Sequence, residues 1–180
     1  DKRGISAKEA TEAQRIEMHK LALSIVLTSQ GISFLHAGTE FLRSKQGVEN
    51  SFESPDSINA IDWNRKTQYR DVFDYVKGMI ALRKAHPAFR LTSAGDIAAL
   101  LHFEENLPAG VIGYTLDGKA AKDKWQQIRV CFNGTGNAQT VILDSKNYKA
   151  AVLSNRFVKP VNVVSTVTLQ PYSCTILYQE

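Results

Sequence analysis

Reactive and polar side chains concentrate in one stretch, Thr39 to Lys66, which holds Arg43, Lys45, Glu49, Asn50, Glu53, Asp56, Asn59 and Asp62. Carboxylates in such number could form the acid/base pair of sugar hydrolysis, drawn from Glu40, Glu49, Glu53, Asp56 and Asp62. Any polar loop offers as many, and spacing alone selects no pair. Other chemistries have less support. No Gly-x-Ser-x-Gly occurs, and neither Cys131 nor Cys174 has neighbours that would lower its pKa. Both cysteines sit in apolar strand-like runs without Cys-x-x-Cys or Cys/His spacing, the pattern of buried free thiols rather than zinc ligands. His19, His36, His86 and His102 each lie in unremarkable contexts and read as structural, His36 least clearly.

A loop this long inside a compact domain is usually functional or disordered, and Phe41, Phe52 and Trp63 argue for order by anchoring it. The elements around it follow from pattern. Ser6-x-x-Glu9 is a capping box, so a helix is expected from about Ala7 to Ser29, apolar nearly all round in its second half. Gln30-Gly31 stops it. The run from Ile32 to Ala37 has the pattern of a strand buried on both faces, as in parallel sheets, unless it is the tail of the first helix. A second helix, about Gln68 to Ala85, must end near His86 because Pro87 follows. One parallel strand cannot make a sheet, so this unit implies sheet partners beyond the chain.

After Phe89 the periodicity becomes alternating and a domain boundary fits near residues 90 to 96. Strands are expected at Ile97–Phe103, Gly110–Leu116, Gln127–Phe132, Gln139–Leu143, Lys149–Leu153, Val163–Leu169 and Cys174–Tyr178, with Asp117-Gly118 and Asn133-Gly134 as turns. Short strands at such spacing suggest an antiparallel sandwich. The chain's 180 residues suffice for one or two domains. Its net charge of +4 is scattered, with no basic stripe or interleaved aromatics, so nucleic acid is not an expected partner. No stretch reaches the roughly 18–20 apolar residues of a membrane helix, and no membrane partner is expected.

Three segments carry a family resemblance: Gly31-Ile-Ser-Phe-Leu-His-Ala-Gly-Thr-Glu-Phe-Leu-Arg-Ser-Lys-Gln-Gly-Val-Glu-Asn-Ser-Phe52, Ser54-Pro-Asp-Ser-Ile-Asn-Ala-Ile-Asp-Trp-Asn64, and Asp74-Tyr-Val-Lys-Gly-Met-Ile-Ala-Leu-Arg-Lys-Ala-His-Pro-Ala-Phe-Arg90. They resemble type I pullulanases of the α-amylase superfamily, as more loosely does Pro171 to Leu177. The resemblance implies an α/β plus β architecture. Residues 1–91 would be the C-terminal end of a (β/α)8 catalytic barrel (helix 7, strand 8, helix 8), and residues 92–180 an all-β sandwich C-terminal domain. It further implies retaining hydrolysis of α-1,6-glucosidic bonds in pullulan, amylopectin or limit dextrins, by a nucleophilic Asp, an acid Glu and a third Asp. All three would precede Asp1-Lys2, leaving no catalytic residue here and an inactive isolated chain.

In the Asp-x-x-Asn pattern of Asp56 and Asn59, relatives use the carboxylate to accept hydrogen bonds from sugar hydroxyls, and Arg43 and Lys45 are further substrate-binding candidates by the same resemblance. Ala60 stands where many superfamily members carry Arg. The implied partners are an α-glucan substrate and the upstream catalytic part of the same protein. No cofactor or metal is expected in this chain, although calcium is compatible with the complete protein, whose bacterial compartment, cytoplasmic or secreted, the sequence leaves open. Two other readings remain at this stage: a non-catalytic carbohydrate-binding or structural module built on the sandwich, and another superfamily member such as an isoamylase or α-amylase, which the stretch Arg43 to Trp63 disfavours.

Overall fold

The computed structural model describes residues 10–144 and 147–180. The expected Ser6/Glu9 cap lies outside them. Helix α1, Glu12–Thr28, instead opens on a capping box of Thr11 and Gln14, whose side chains bond each other's backbone amides. Two short helices, α2 (Asp56–Asn59) and α3 (Asn64–Gln68), interrupt the long loop. Helix α4, Arg70–Ala85, ends at His86 before Pro87, as the proline dictates.

The helices α1 and α4 run parallel. Tyr69 Oη donates to Glu12 (2.9 Å), Lys20 pairs with Asp71 (3.0 Å), Ser24 Oγ meets Tyr75 Oη (2.6 Å), and Arg83 reaches Leu27 O (3.0 Å), so position advances together along both. Parallel neighbours need a return crossover. Residues 29–39 provide it, running back along α1, with Ser33 Oγ on Val26 O (3.1 Å) and His19 Nε2 against Thr39 O (2.8 Å).

The strand expected at Ile32–Ala37 does not form. A strand is defined by the hydrogen bonds of a neighbour, and none of the described residues offers one here. The two large side chains are bare: Ile32 is fully exposed and Phe34 is 82% exposed. On α1 Ile25 is 43% exposed, whereas Leu21, Leu23 and Leu27 are buried, so the helix is two-sided rather than buried all round. What the chain itself forms is therefore a helix pair packed on antiparallel sheet, and no barrel forms among the described residues.

After Pro87–Arg90, a single 3-10 turn, Ser93 caps a further helix, α5 (Ala94–Leu100), which takes the first four residues of the strand expected at Ile97–Phe103. The Ser93 hydroxyl accepts from Asp96 N at 3.0 Å, and strand β1 keeps only Leu101–Phe103. Then follow β2 (Val111–Asp117), β3 (Gln127–Asn133), β4 (Gln139–Ile142), β5 (Tyr148–Leu153), β6 (Arg156–Val163), β7 (Thr166–Leu169) and β8 (Ser173–Gln179). The order β1-β2-β3-β8-β5-β6 makes one antiparallel sheet, and β4-β7 a second.

The expected single strand Val163–Leu169 is split by Ser165, at φ 66°, and its halves join different sheets. Strand β6 was not foreseen, because it is largely exposed and carries Pro160, so no period marks it. It is introduced by Ser154 and Asn155, both left-handed, a two-residue hairpin turn.

Both faces of the large sheet are covered. Ile128, Val130, Phe132, Cys174 and Ile176 face the helices and share one core with Leu27, Val76, Met79 and Phe89. Cys131, Tyr148, Ala150 and Leu177 pack instead against Val141, Val167 and Leu169 of the small sheet. A bulge between Ala150 and Val152 sends Val152 to the helix side. The two cysteines lie on adjacent strands (Phe132 opposite Cys174, Cys131 opposite Thr175) but on opposite faces, and both are free.

Candidate functional site

The loop begins at Gly38, whose φ of 88° and whose contact with Arg43 leave no room for a side chain: a Cβ there would lie 2.8 Å from Arg43 Cβ. Its carbonyl accepts from Phe41 N (3.1 Å) and Arg43 N (2.8 Å), and Glu40 closes back onto its amide (3.0 Å). This tight turn seats Phe41 in the interior. Phe41 is buried, with Trp63 resting 5.6 Å away, yet Trp63 and Phe52 are largely exposed, so of the three aromatic anchors expected only Phe41 is buried, and Leu42 beside it packs against the core.

Three of the four expected binding residues converge. The Lys45 ammonium donates to Ser51 Oγ (2.8 Å) and Asn59 Oδ1 (2.5 Å), and the Asn59 amide nitrogen donates to the carbonyls of Ser51 and Ser54 (2.7 Å each). The Arg43 guanidinium donates to the main-chain carbonyl of Asn59 and, at 3.4 Å, to that of Ala37, while its Nε is buried without an acceptor. All three side chains are therefore spent on bracing the loop. None of them pairs with Glu40 or Asp62: Glu40 holds the Gly38 amide, and Asp62 accepts from Asn64 N (3.0 Å).

Asp56, the fourth, is different. It opens α2 behind Pro55, is exposed, and among the described residues no donor bonds its carboxylate. A fixed turn thus carries an unengaged anionic acceptor into solvent, which suits a polyhydroxylated ligand. Among the described residues no group of three His, Cys, Asp or Glu side chains could hold a metal. Sequence reasoning missed Ser51, Ser54 and Gln46 (Nε2 to Ser57 O, 3.1 Å) as members of the brace, because the main-chain carbonyls of Ser51, Ser54 and Ser57 leave no trace in residue type and a Ser hydroxyl or Gln amide does not stand out in a polar loop.

Two of the four histidines are held in structural contacts away from the loop's open side. His19, pushed below its ordinary pKa by burial, holds Thr39 O, and His86 bonds Asp123 (2.7 Å) under the Trp125 ring. Below the loop, Arg83 fixes the start of the return segment by donating to Leu27, Ser29, Gly31 and Phe89 carbonyls, so the loop rests on a rigid base.

Residues 97–156 match the family described as the pullulanase all-beta domain. Over 131 residues the chain is 42% identical to the pullulanase of Bacillus subtilis, which is 72% of this chain and 18% of that protein. In structure it is similar to the pullulanase of Bacillus acidopullulyticus, with a TM-score of 0.91 and 40% identity over 97% of this chain and 22% of that one. It is also similar to the Bacillus subtilis enzyme complexed with maltose, with a TM-score of 0.89 and 34% identity over 97% of this chain and 25% of that one. The chain therefore spans about a quarter or less of the length of these relatives.

Proposed function

We propose, from the premise that this chain is a homologue of one part of the bacterial pullulanases, that it is the substrate-loop and C-terminal portion of a debranching glycoside hydrolase. The complete protein hydrolyses α-1,6-glucosidic bonds of pullulan, amylopectin or limit dextrins with retention, using carboxylates outside this chain. Residues 1–91 close a (β/α)8 barrel, and residues 92–180 form its all-β companion.

The observation that carries this reading is the parallel pair α1 and α4 with residues 29–39 returning between them. Helix, antiparallel return and parallel helix is the repeat of an α/β barrel, in which the returning segment becomes a strand once neighbours supply its hydrogen bonds. Ile25, Ile32 and Phe34 are bare on the side such neighbours would occupy. The loop that follows the returning segment then lies at the C-terminal face, where barrels bind substrate, and Asp56 accepts hydrogen bonds from glucosyl hydroxyls there.

Reducing-sugar release from pullulan tests this, measured with the chain alone and after mixing with the preceding part of its parent. The chain alone is expected to be inactive and the mixture to debranch. Activity of the chain alone would put the catalytic carboxylates within it and overturn the reading.

A further inference from the structure

Turn α2 has no fully buried residue, and its one large apolar side chain, Ile58, is only half-buried, so apolar packing fixes it weakly. Its own backbone supplies Ile58 N to Pro55 O (2.9 Å), Asn59 N to Pro55 O (3.0 Å) and Ala60 N to Asp56 O (2.8 Å), which close one helical turn but do not orient it against the protein. Orientation comes from polar tethers, and nearly all of them end on one residue. Both amide hydrogens of Asn59 are directed to carbonyls on the 51–54 side of the loop, Oδ1 takes the Lys45 ammonium, and the main-chain oxygen takes the Arg43 guanidinium. Arg43 does this while its Nε stays buried and unpaired, an arrangement a loop tolerates only where the rest of the guanidinium is strongly held.

We propose that Asn59 is a positioning residue: with Lys45 and Arg43 it fixes the turn Asp56–Asn59 so that the Asp56 carboxylate is held ready for a glucosyl hydroxyl, and it does not itself contact the sugar. The donors and acceptor of the Asn59 side chain are already engaged, leaving little for a ligand. The Asp56 carboxylate is three residues away on the same turn and among the described residues has no partner of its own. Without the tethers the turn must be ordered when substrate binds, which weakens binding but leaves the chemical step unchanged. This inference rests on the reading that Asp56 contacts glucan.

The test is a double-mutant cycle in the full-length parent enzyme acting on pullulan, with Asp56→Ala, Asn59→Asp and the double variant, each checked for thermal unfolding. Asn59→Asp keeps the shape and the acceptor for Lys45 while removing both donors. It is expected to raise KM about tenfold with kcat within about twofold, the cost of roughly one net hydrogen bond. Asp56→Ala is expected to raise KM at least as much, and the double variant no further than Asp56→Ala alone.

Effects that multiply in the double variant, with KM raised by Asp56→Ala, overturn the positioning role of Asn59 and leave Asp56 as a binding residue. An unchanged KM for Asp56→Ala overturns the glucan-contact reading and the positioning role with it. Should Asn59→Asp fail to fold, Lys45→Met carries the same cycle by removing the bond to Oδ1: a smaller KM rise that vanishes in the Asp56→Ala background supports the proposal, and one that persists there overturns it.

Discussion

Replacing Arg83 by Met keeps most of the side chain's volume and removes the group that ties α1, the return segment and the turn after α4 together. The guanidinium donates to Leu27 O (3.0 Å), Ser29 O (2.7 Å), Gly31 O (2.7 Å) and Phe89 O (2.9 Å), and the residue is 8% exposed. Hydrogen bonds from a charged donor are each worth about 1.5–3 kcal/mol net. Their sum is an upper bound, because burial disfavours the cation itself, and the nearby Arg90 adds to this; both push its pKa down. The acceptors at Ser29 and Gly31 are only partly buried, and water replaces the donor there. The two bonds to the fully buried carbonyls of Leu27 and Phe89 dominate, for a loss of about 3–4 kcal/mol. For a chain of this size that lowers Tm by about 10 °C. Urea unfolding at low protein concentration measures it, followed by tryptophan fluorescence, with Trp125 stacked between His86 and Tyr178 as reporter. Arg83→Lys is expected to fall between wild type and Met, since one ammonium cannot reach four carbonyls. A loss below about 1 kcal/mol for Arg83→Met would show that the carbonyls are satisfied otherwise and refute the reasoning.

Burial pushes Cys131 up to about 12 and raises Cys174, Tyr75, Tyr114 and Tyr148 well above their ordinary values. A group whose folded pKa is raised stabilises fully below its unfolded pKa and loses that contribution as pH rises toward the folded one. Urea midpoints are therefore expected to hold at pH 8 and to fall progressively from about pH 9 upward, and a flat profile to pH 11 would contradict the burial of these groups. For the same reason both thiols are expected to resist a water-soluble thiol reagent until the chain unfolds. The bare side of the return segment predicts that the isolated chain self-associates, and that Ile32→Ser with Phe34→Ser makes it monodisperse at a stability cost within about 0.5 kcal/mol. Light scattering decides this: a monodisperse unmutated chain would mean that the exposed apolar side needs no cover.

Much of the architecture was legible because it is written in local pattern. Periodicity found both long helices and most strands, and Pro87 located the end of α4. The misses have physical causes. Ile97–Phe103 reads as one strand, but the Ser93 cap starts a helix of about two turns that takes its first four residues and leaves only Leu101–Phe103 to β1. Ser165 reads as one polar residue inside a strand, and only its left-handed backbone divides the run between two sheets. Ile32–Ala37 has the composition of a buried strand, yet a strand is a property of its neighbours, and composition cannot supply their amides.

For the site, residue type and motif selected Asp56, Asn59, Arg43 and Lys45 as one group of candidates. The sequence by itself thus determined the two long helices, most of the strands, which loop concentrates polar groups, and which family the chain resembles, since these depend on side-chain identity along the chain. Only the tertiary structure separated one unengaged carboxylate from three bracing side chains, because that division depends on whether a donor's partner is a carbonyl of Ser51, Ser54 or Asn59 or a molecule still in solution.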